Sequence, residues 1–505
     1  MHTLIDPLRR ALQIRPNEVA FADGKRELTY TDFAKRCERL AGALRGLGAK
    51  DGDRVAILAN NSIEYFEAYV GIPSGGLVVV PLNTRHAMPE LVYALEDSGA
   101  KILITDRDDI GELAGVVDHV LSIPDGYEDL LAAATPVTLG QNIAETDLAG
   151  LFYTGGTTGA SKGVMLTHRN LIANALNWLA SVPQSPSDRT LVMAPMFHAA
   201  GSNGILAAIW QGALQVPLGT FDPAAVLDLI EEHRINLSLG VPSMLAAIAE
   251  EQHARPRDVS SLELLAHGGS PIATEVIRRT SSAFPSAQLI EVYGATETSP
   301  LATLLGHEET LMDDPLARSC GRAVVGCNIT VRDPDGNELP TGQVGEVVVA
   351  GTNIMKGYWN KPEQTASVLK HGGYWTGDVG YFNEDGYLFL VDRSKDMIVS
   401  GGENVYSTEV EDVLYRHPGV LEAAVFGVPD DKWGEAVHAV VVPRPEAGEL
   451  DAAEIIEFCR SYIGGYKVPK GIDIQQEPLP KSGPGKVLKR ELRAPFWQGS
   501  DRGVN

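Results

Sequence analysis

The chain has 505 residues, 44% of them hydrophobic, and its 42 basic residues stand against 66 acidic ones for a formal net charge of −24. So much apolar sequence excludes a disordered or fibrous chain, and the length calls for more than one domain. The acidic balance excludes a nucleic-acid binder, because neutralising phosphates needs surplus Lys and Arg.

In chain order, the first hundred residues alternate two periods. Thr31 stands as the N-cap of a helix whose apolar positions Phe33, Cys37, Leu40, Ala41 and Leu44 recur at three and four. An apolar run at 55–58 follows, then a helical stretch near 65–72 and runs at 77–82, 91–95 and 101–105. Strands alternating with amphipathic helices predict βαβ units and a largely parallel sheet covered on both faces. The alternation returns across 191–194, 206–209, 226–230 and 237–241. After about residue 320 the style changes. Turns at 333–336 and 383–386 separate the β-like runs 328–332, 345–350 and 387–391, which reads as antiparallel structure. Past Asp392 the pattern is compact α+β: Ser407 caps a helix through Val410, Val413 and Leu414 that Pro418 and Gly419 stop. Runs at 423–428 and 439–442 and a helix over 455–463 follow. The expected boundary lies near 392–395.

Four cysteines, Cys37, Cys320, Cys327 and Cys459, make no disulfide framework and match no zinc spacing. All four read as buried small hydrophobes in a reducing compartment. The N-terminus has neither the basic flank nor the apolar centre of a signal, and no apolar run reaches membrane-spanning length. A cytoplasmic protein without a transmembrane segment is expected.

The densest chemical signal is YTGGTTGASK at 153–162, directly after a mostly apolar run. Glycines let backbone N–H groups approach an anion, threonines add donors, and one lysine supplies a mobile charge. The spacing is not that of a Walker loop. By itself the segment leaves an ordinary Gly/Thr-rich surface loop as open as a phosphate cradle. Four more motifs follow: YGATE at 293–297, YWTGD at 374–378, DRSKDMIVSGGEN at 392–404 and PKSGPGK at 480–486.

In this order the five motifs resemble the adenylate-forming superfamily, which includes acyl- and aryl-CoA synthetases, peptide-synthetase adenylation domains and firefly-type luciferases. The resemblance spans essentially the whole chain. It implies an α/β protein with a large N-terminal domain, residues 1–392, of parallel-type sheets layered with helices plus a β-rich subdomain. A small, mobile α+β C-terminal domain, residues 393–505, completes it. The implied chemistry joins a carboxylic acid to ATP as acyl-AMP, with magnesium, before transfer to coenzyme A. Partners are then the small-molecule acid, ATP and CoA, with no nucleic acid and with a homodimer left open.

The resemblance also implies roles. Thr154, Gly155, Gly156, Thr157, Thr158, Gly159 and Lys162 would cradle the β- and γ-phosphates. The family usually has Ser where Gly155 stands, so one donor is lost. Thr296 would contact phosphate and Glu297 would ligate magnesium, a hard cation suited to one carboxylate plus phosphate oxygens. Tyr293 would pack on adenine beside Gly268, Gly269 and Ser270, while Asp378 and Arg393 would reach the ribose hydroxyls. Lys395 would be the hinge, and Gly401, Gly402 and Trp433 would line the pantetheine tunnel with Lys432. Lys486 would bridge the attacking carboxylate and the α-phosphate.

His198, in PMFH at 195–198, would stand at the mouth of the acyl pocket. Amino-acid-activating relatives usually carry aspartate there, so histidine favours an uncharged acid. The small residues at 199–204 should leave room for a bulky apolar group. Plant hydroxycinnamate ligases commonly have Tyr where this chain has Ala200. Medium- or long-chain fatty acids and hydroxycinnamate-type aryl acids such as coumarate and ferulate remain the two candidate classes. An acyl-AMP ligase serving a carrier protein and a non-catalytic adenylate-binding regulator are the rival readings.

Overall fold

The computed structural model describes residues 2–154, 161–202, 204–270, 272, 274–307, 315–393, 396–400, 403–430, 433–445, 447–448, 450–481 and 487–497. Among these, the strands form four sheets, three of them within the first 393 residues. One sheet runs His119–Ser122, Ile102–Thr105, Arg54–Leu58, Val78–Pro81, Leu148–Thr154, Lys162–Thr167, Gly357–Tyr358, parallel through its first five strands. A second places six parallel strands side by side, from Gln288–Tyr293 through Leu264–Gly268, Leu237–Gly240, Arg189–Val192 and Leu214–Pro217 to Val19–Ala22. The expected α/β class is correct. Parallel strands buried on both faces explain the unbroken apolar runs in the sequence.

The antiparallel region expected after residue 320 is the third sheet, built on Cys327–Arg332, Gly345–Gly351, Gly373–Phe382 and Leu388–Arg393. The fourth sheet pairs Val420–Asp430 with Gly434–Pro443 and packs the helices Ser407–Arg416 and Ala452–Arg460 on its own apolar cluster. Thr408 Oγ1 donates to the carbonyl of Val391 at 2.9 Å, and Arg318 approaches Asp412 at 3.6 Å.

Helix ends differ from expectation in three places. The helix Tyr30–Gly46 is capped by Thr29, whose side chain accepts from the Asp32 N–H, not by Thr31. Thr31 instead donates its hydroxyl to the Pro16 carbonyl at 2.7 Å. Ser407 is the first helical residue, with Tyr406 at the N-cap position, and its hydroxyl accepts from Lys489 at 2.7 Å. The helix expected over 455–463 ends at Arg460. Cys327 is half-buried rather than buried, while Cys37, Cys320 and Cys459 are buried as expected.

The hairpin Val19–Ala22/Glu27–Thr29 had no signal strong enough to name. Phe21 pairs with Gln215 in the sheet, and its ring meets Phe33 at 4.4 Å and Phe66 at 4.5 Å. The helix Ile63–Ser74 is buried on every face, which erases the 3.6-residue pattern. Its Glu67, 0% exposed, is held by Arg36 and by the Tyr127 hydroxyl at 2.7 Å. Such a carboxylate stays in a core only with partners of this kind.

Buried His168 ties the N-terminus down by accepting the Leu4 N–H on Nδ1 at 3.2 Å. Accepting requires the neutral ring. Burial lowers its pKa from 6.5 to about 4, against the smaller opposing pull of Asp147 and Asp6. The folded state therefore resists protonation that the unfolded chain accepts. Stability from this site is complete above pH 6.5 and falls as pH drops toward 4, by about 3 kcal/mol in all. Urea midpoints of His168→Gln should be lower than wild type at pH 7.5, with the gap shrinking by pH 4.5. A constant gap would show that His168 does not titrate in this way.

Candidate active site

Parallel strands deliver their following loops to one edge, where backbone groups are unpaired and ligands bind. Arg189–Val192, Leu237–Gly240, Leu264–Gly268 and Gln288–Tyr293 are such neighbours. The segment 195–198 follows the first, Gly269 and Ser270 follow the third, and the turn Thr296–Thr298 follows the fourth. Gly268 pairs with Val292, so the glycines lie beside Tyr293 as the family pattern asks.

Tyr293 does more than offer a ring. Its hydroxyl donates to Asp378 Oδ2 at 2.8 Å. Burial, then the neighbouring carboxylate, pushes the phenol well above its usual range, so it stays a donor. Asp378 is 8% exposed, and its N–H donates to Thr376 Oγ1 at 3.0 Å. Across the ladder its backbone partner is Arg393. One strand pair thus brings together the two residues expected at the ribose.

Thr154 and Lys162 face each other across the antiparallel pair Leu148–Thr154/Lys162–Thr167. Lys162 Nζ lies 4.8 Å from the centre of the Tyr358 ring, and the Tyr358 hydroxyl donates to Glu297 Oε1 at 2.7 Å. Burial and Glu297 raise the Tyr358 phenol far above its ordinary range. Tyr358 therefore joins Lys162, expected at the phosphates, to Glu297, the expected magnesium carboxylate. A carboxylate has lone pairs on both oxygens, so one phenol bond orients Glu297 without exhausting it. Thr296 is buried beside it at 8% exposure.

On the acyl side, buried Asn61 donates to the carbonyls of Val192 at 3.1 Å and Ala194 at 2.9 Å, and accepts from the Met196 N–H at 2.8 Å. It fixes the segment leading to His198. Of the small residues at 199–204, Gly201 lines the cavity and has a second reason to be small. A Cβ there would stand 1.9 Å from the Pro195 carbonyl oxygen, so close backbone packing demands it. Gly204 has φ +84°, a conformation side chains resist, and faces Trp178. Beside it lies a small cavity of about 20 Å³ lined by Trp178, Thr190, Val192, Ala194, Leu237 and Leu239 among others.

Gly155, Gly156, Thr157, Thr158, Gly159, Lys395, Gly401, Gly402, Lys432 and Lys486 lie outside the described residues. Trp433 is 43% exposed. Sequence reasoning missed Tyr358, Thr376, Asn61, Asn174 and Asn353. Asn353 Nδ2 donates to the carbonyls of Thr298 and Leu301, each at 2.8 Å, and Asn174 accepts the Leu301 N–H at 3.0 Å. These amides hold the Thr296–Glu297 turn, and a lone asparagine carries no spacing signal.

The AMP-binding enzyme family matches residues 8–359, and its C-terminal domain matches residues 409–486. The chain belongs to the AMP-binding enzyme family. It is similar to a feruloyl-CoA synthase of an Amycolatopsis species, 40% identical over 97% of this chain and 98% of that one. It is likewise similar to the long-chain-fatty-acid–CoA ligase FadD13 of Mycobacterium tuberculosis, 34% identical over 97% of each. Among solved structures, ATP-bound MatB from Rhodopseudomonas palustris superposes with a TM-score of 0.89 at 31% identity, covering 98% of this chain and 99% of that one. The protein is an acid–thiol ligase that uses ATP, magnesium and coenzyme A.

Proposed function

We propose that the chain converts an uncharged, largely apolar carboxylic acid to its CoA thioester through an acyl-adenylate. The acid is a medium- or long-chain fatty acid or a hydroxycinnamate-type aryl acid. The observation that carries this reading is the cavity beside Gly204, whose lining contains no charged side chain. A second carboxylate or an ammonium would be buried there without a counter-charge, at a cost of several kcal/mol. The feruloyl-CoA synthase and FadD13 likenesses support the same two acid classes.

In this reading Thr154, residues 155–159 and Lys162 hold the β- and γ-phosphates. Tyr293 and residues 268–270 flank adenine, and Asp378 with Arg393 accepts the ribose. The acid's carboxylate oxygen attacks the α-phosphorus and pyrophosphate leaves, with Lys486 screening the two anions. The CoA thiol then attacks the acyl carbonyl and AMP leaves. Among the described residues no group of three or more His, Cys, Asp or Glu side chains is gathered as a metal cage. That fits magnesium held by Glu297 and substrate phosphates, which would neutralise charge on the leaving pyrophosphate. Residues 393–505 are proposed to move as one domain about Lys395, presenting Lys486 for the first step and residues 401–402 with Trp433 for the second. No helix among the described residues is long and apolar enough to cross a membrane. A cytoplasmic location and a homodimer complete the proposal, the latter to be read by light scattering.

Purified protein with ATP, magnesium and CoA should release pyrophosphate with octanoate or ferulate and form the matching thioester by mass spectrometry. Release confined to malonate or amino acids would overturn the acid class. Acyl-AMP accumulation without thioester would point to a carrier protein.

A further inference from the structure

Two polar groups in the acyl cavity have no use in the chemistry above. Trp178, on the helix His168–Ser181, is 1% exposed, and its indole Nε1 has no hydrogen-bond partner among the described residues. Thr190, on the strand Arg189–Val192, is 8% exposed, and its Oγ1 is likewise without one. Both residues line the same small cavity of about 20 Å³. The indole edge lies beside Gly204, which lines the same cavity: a Cβ there would stand 3.7 Å from Trp178 Cε2 and 3.8 Å from Nε1.

Buried donors without partners are rare, because each forfeits its hydration for nothing. The remaining walls, Leu191, Val192, Ala194, Leu237 and Leu239, cannot satisfy them. A polar group entering the cavity can. An indole N–H only donates, so it requires an acceptor; a threonine hydroxyl both donates and accepts. A hydroxyl oxygen on the substrate meets both demands, accepting from Trp178 and donating to Thr190. An ether oxygen meets the first alone. A methylene or an unsubstituted ring meets neither and leaves the donor stranded. The apolar walls exclude a charged terminus.

Resting on the reading of this cavity as the acyl pocket, we propose that Trp178 Nε1 and Thr190 Oγ1 form a specificity subsite for an oxygen substituent at the far end of the acid. The preferred substrates are then ring-hydroxylated aryl acids, ahead of unsubstituted aryl acids and saturated fatty acids. A pocket built to hydrogen-bond a hydroxyl discriminates strongly against the analogue lacking it, whereas an all-apolar pocket discriminates weakly.

The test compares kcat/KM for 4-hydroxycinnamate, 4-methoxycinnamate, cinnamate and octanoate in wild type, Trp178→Phe and Thr190→Val. Wild type should prefer 4-hydroxycinnamate over cinnamate by at least about tenfold. Trp178→Phe keeps the ring, loses the N–H, and should reduce that preference to about twofold or less, chiefly by lowering activity on the oxygenated acids. Thr190→Val keeps the shape and should weaken the hydroxyl preference while sparing the methoxy acid. Loss of overall activity from poor folding scales all acids alike and leaves their ratio unchanged, so the ratio reports the subsite alone. Equal wild-type use of cinnamate and 4-hydroxycinnamate would overturn the subsite, as would variants that leave the ratio intact, while the apolar-acid function stood. Inactivity on all four acids would instead sink that function.

Discussion

Glu297→Gln should lower the rate of pyrophosphate release by about 10²–10³-fold at physiological magnesium, with the fold intact by circular dichroism. The glutamine keeps an oxygen for the Tyr358 hydroxyl, 2.7 Å from Glu297 Oε1, so the local packing survives. What disappears is the negative charge, which a hard divalent cation held by one carboxylate and substrate phosphates needs. A lost electrostatic contact at the reacting phosphates is worth about 3–4 kcal/mol, which sets the expected factor. Raising magnesium should recover part of the rate, because the defect is in holding the ion. A variant with normal activity and an unchanged magnesium dependence would remove Glu297 from the metal site.

Lys486→Ala should separate the two half-reactions. Adenylation brings a carboxylate against a polyphosphate, and a fixed cation at that meeting point offsets the repulsion in the transition state. Its loss should slow acyl-AMP formation by about 10²–10³-fold. Thioester formation from chemically supplied acyl-AMP and CoA joins a neutral acyl carbonyl to a thiol, and should proceed within about threefold of the normal rate on the same scale. A comparable loss in both steps would mean that Lys486 acts throughout or that residues 393–505 do not exchange positions between steps.

The site was legible where chemistry demands residue types in a fixed order. Thr154, Lys162, Tyr293, Glu297 and Asp378 were all named from motifs. The structure places Lys162 with Glu297 through Tyr358, and Tyr293 with Asp378 directly. The supports were not legible. Tyr358 is 61 residues from Glu297, and Asn61 is 131 from the Val192 carbonyl it grips, distances over which no local pattern carries information. Local ambiguity misled in smaller ways. Thr29 and Thr31 are equally good caps by type, and the Tyr30 N–H decides between them by bonding the Glu18 carbonyl at 3.1 Å, a tertiary contact. Gly201 also has a constraint no local pattern announces, since a Cβ there would strike the Pro195 carbonyl.

The pairing of Phe21 with Gln215 sets a schedule for synthesis. A ribosome adding about 5–20 residues per second needs about 10–40 s to travel from one to the other. Through that interval the strand Val19–Ala22 has its hairpin mate Glu27–Thr29 on one side and an open edge on the other. The rings of Phe21, Phe33 and Phe66 can gather early, but the sheet that covers them does not yet exist. Unpaired edges beside apolar clusters invite association between chains. Nascent chains halted before residue 215 should therefore be engaged by a holding chaperone at their N-terminal segment, and released from it once that strand emerges.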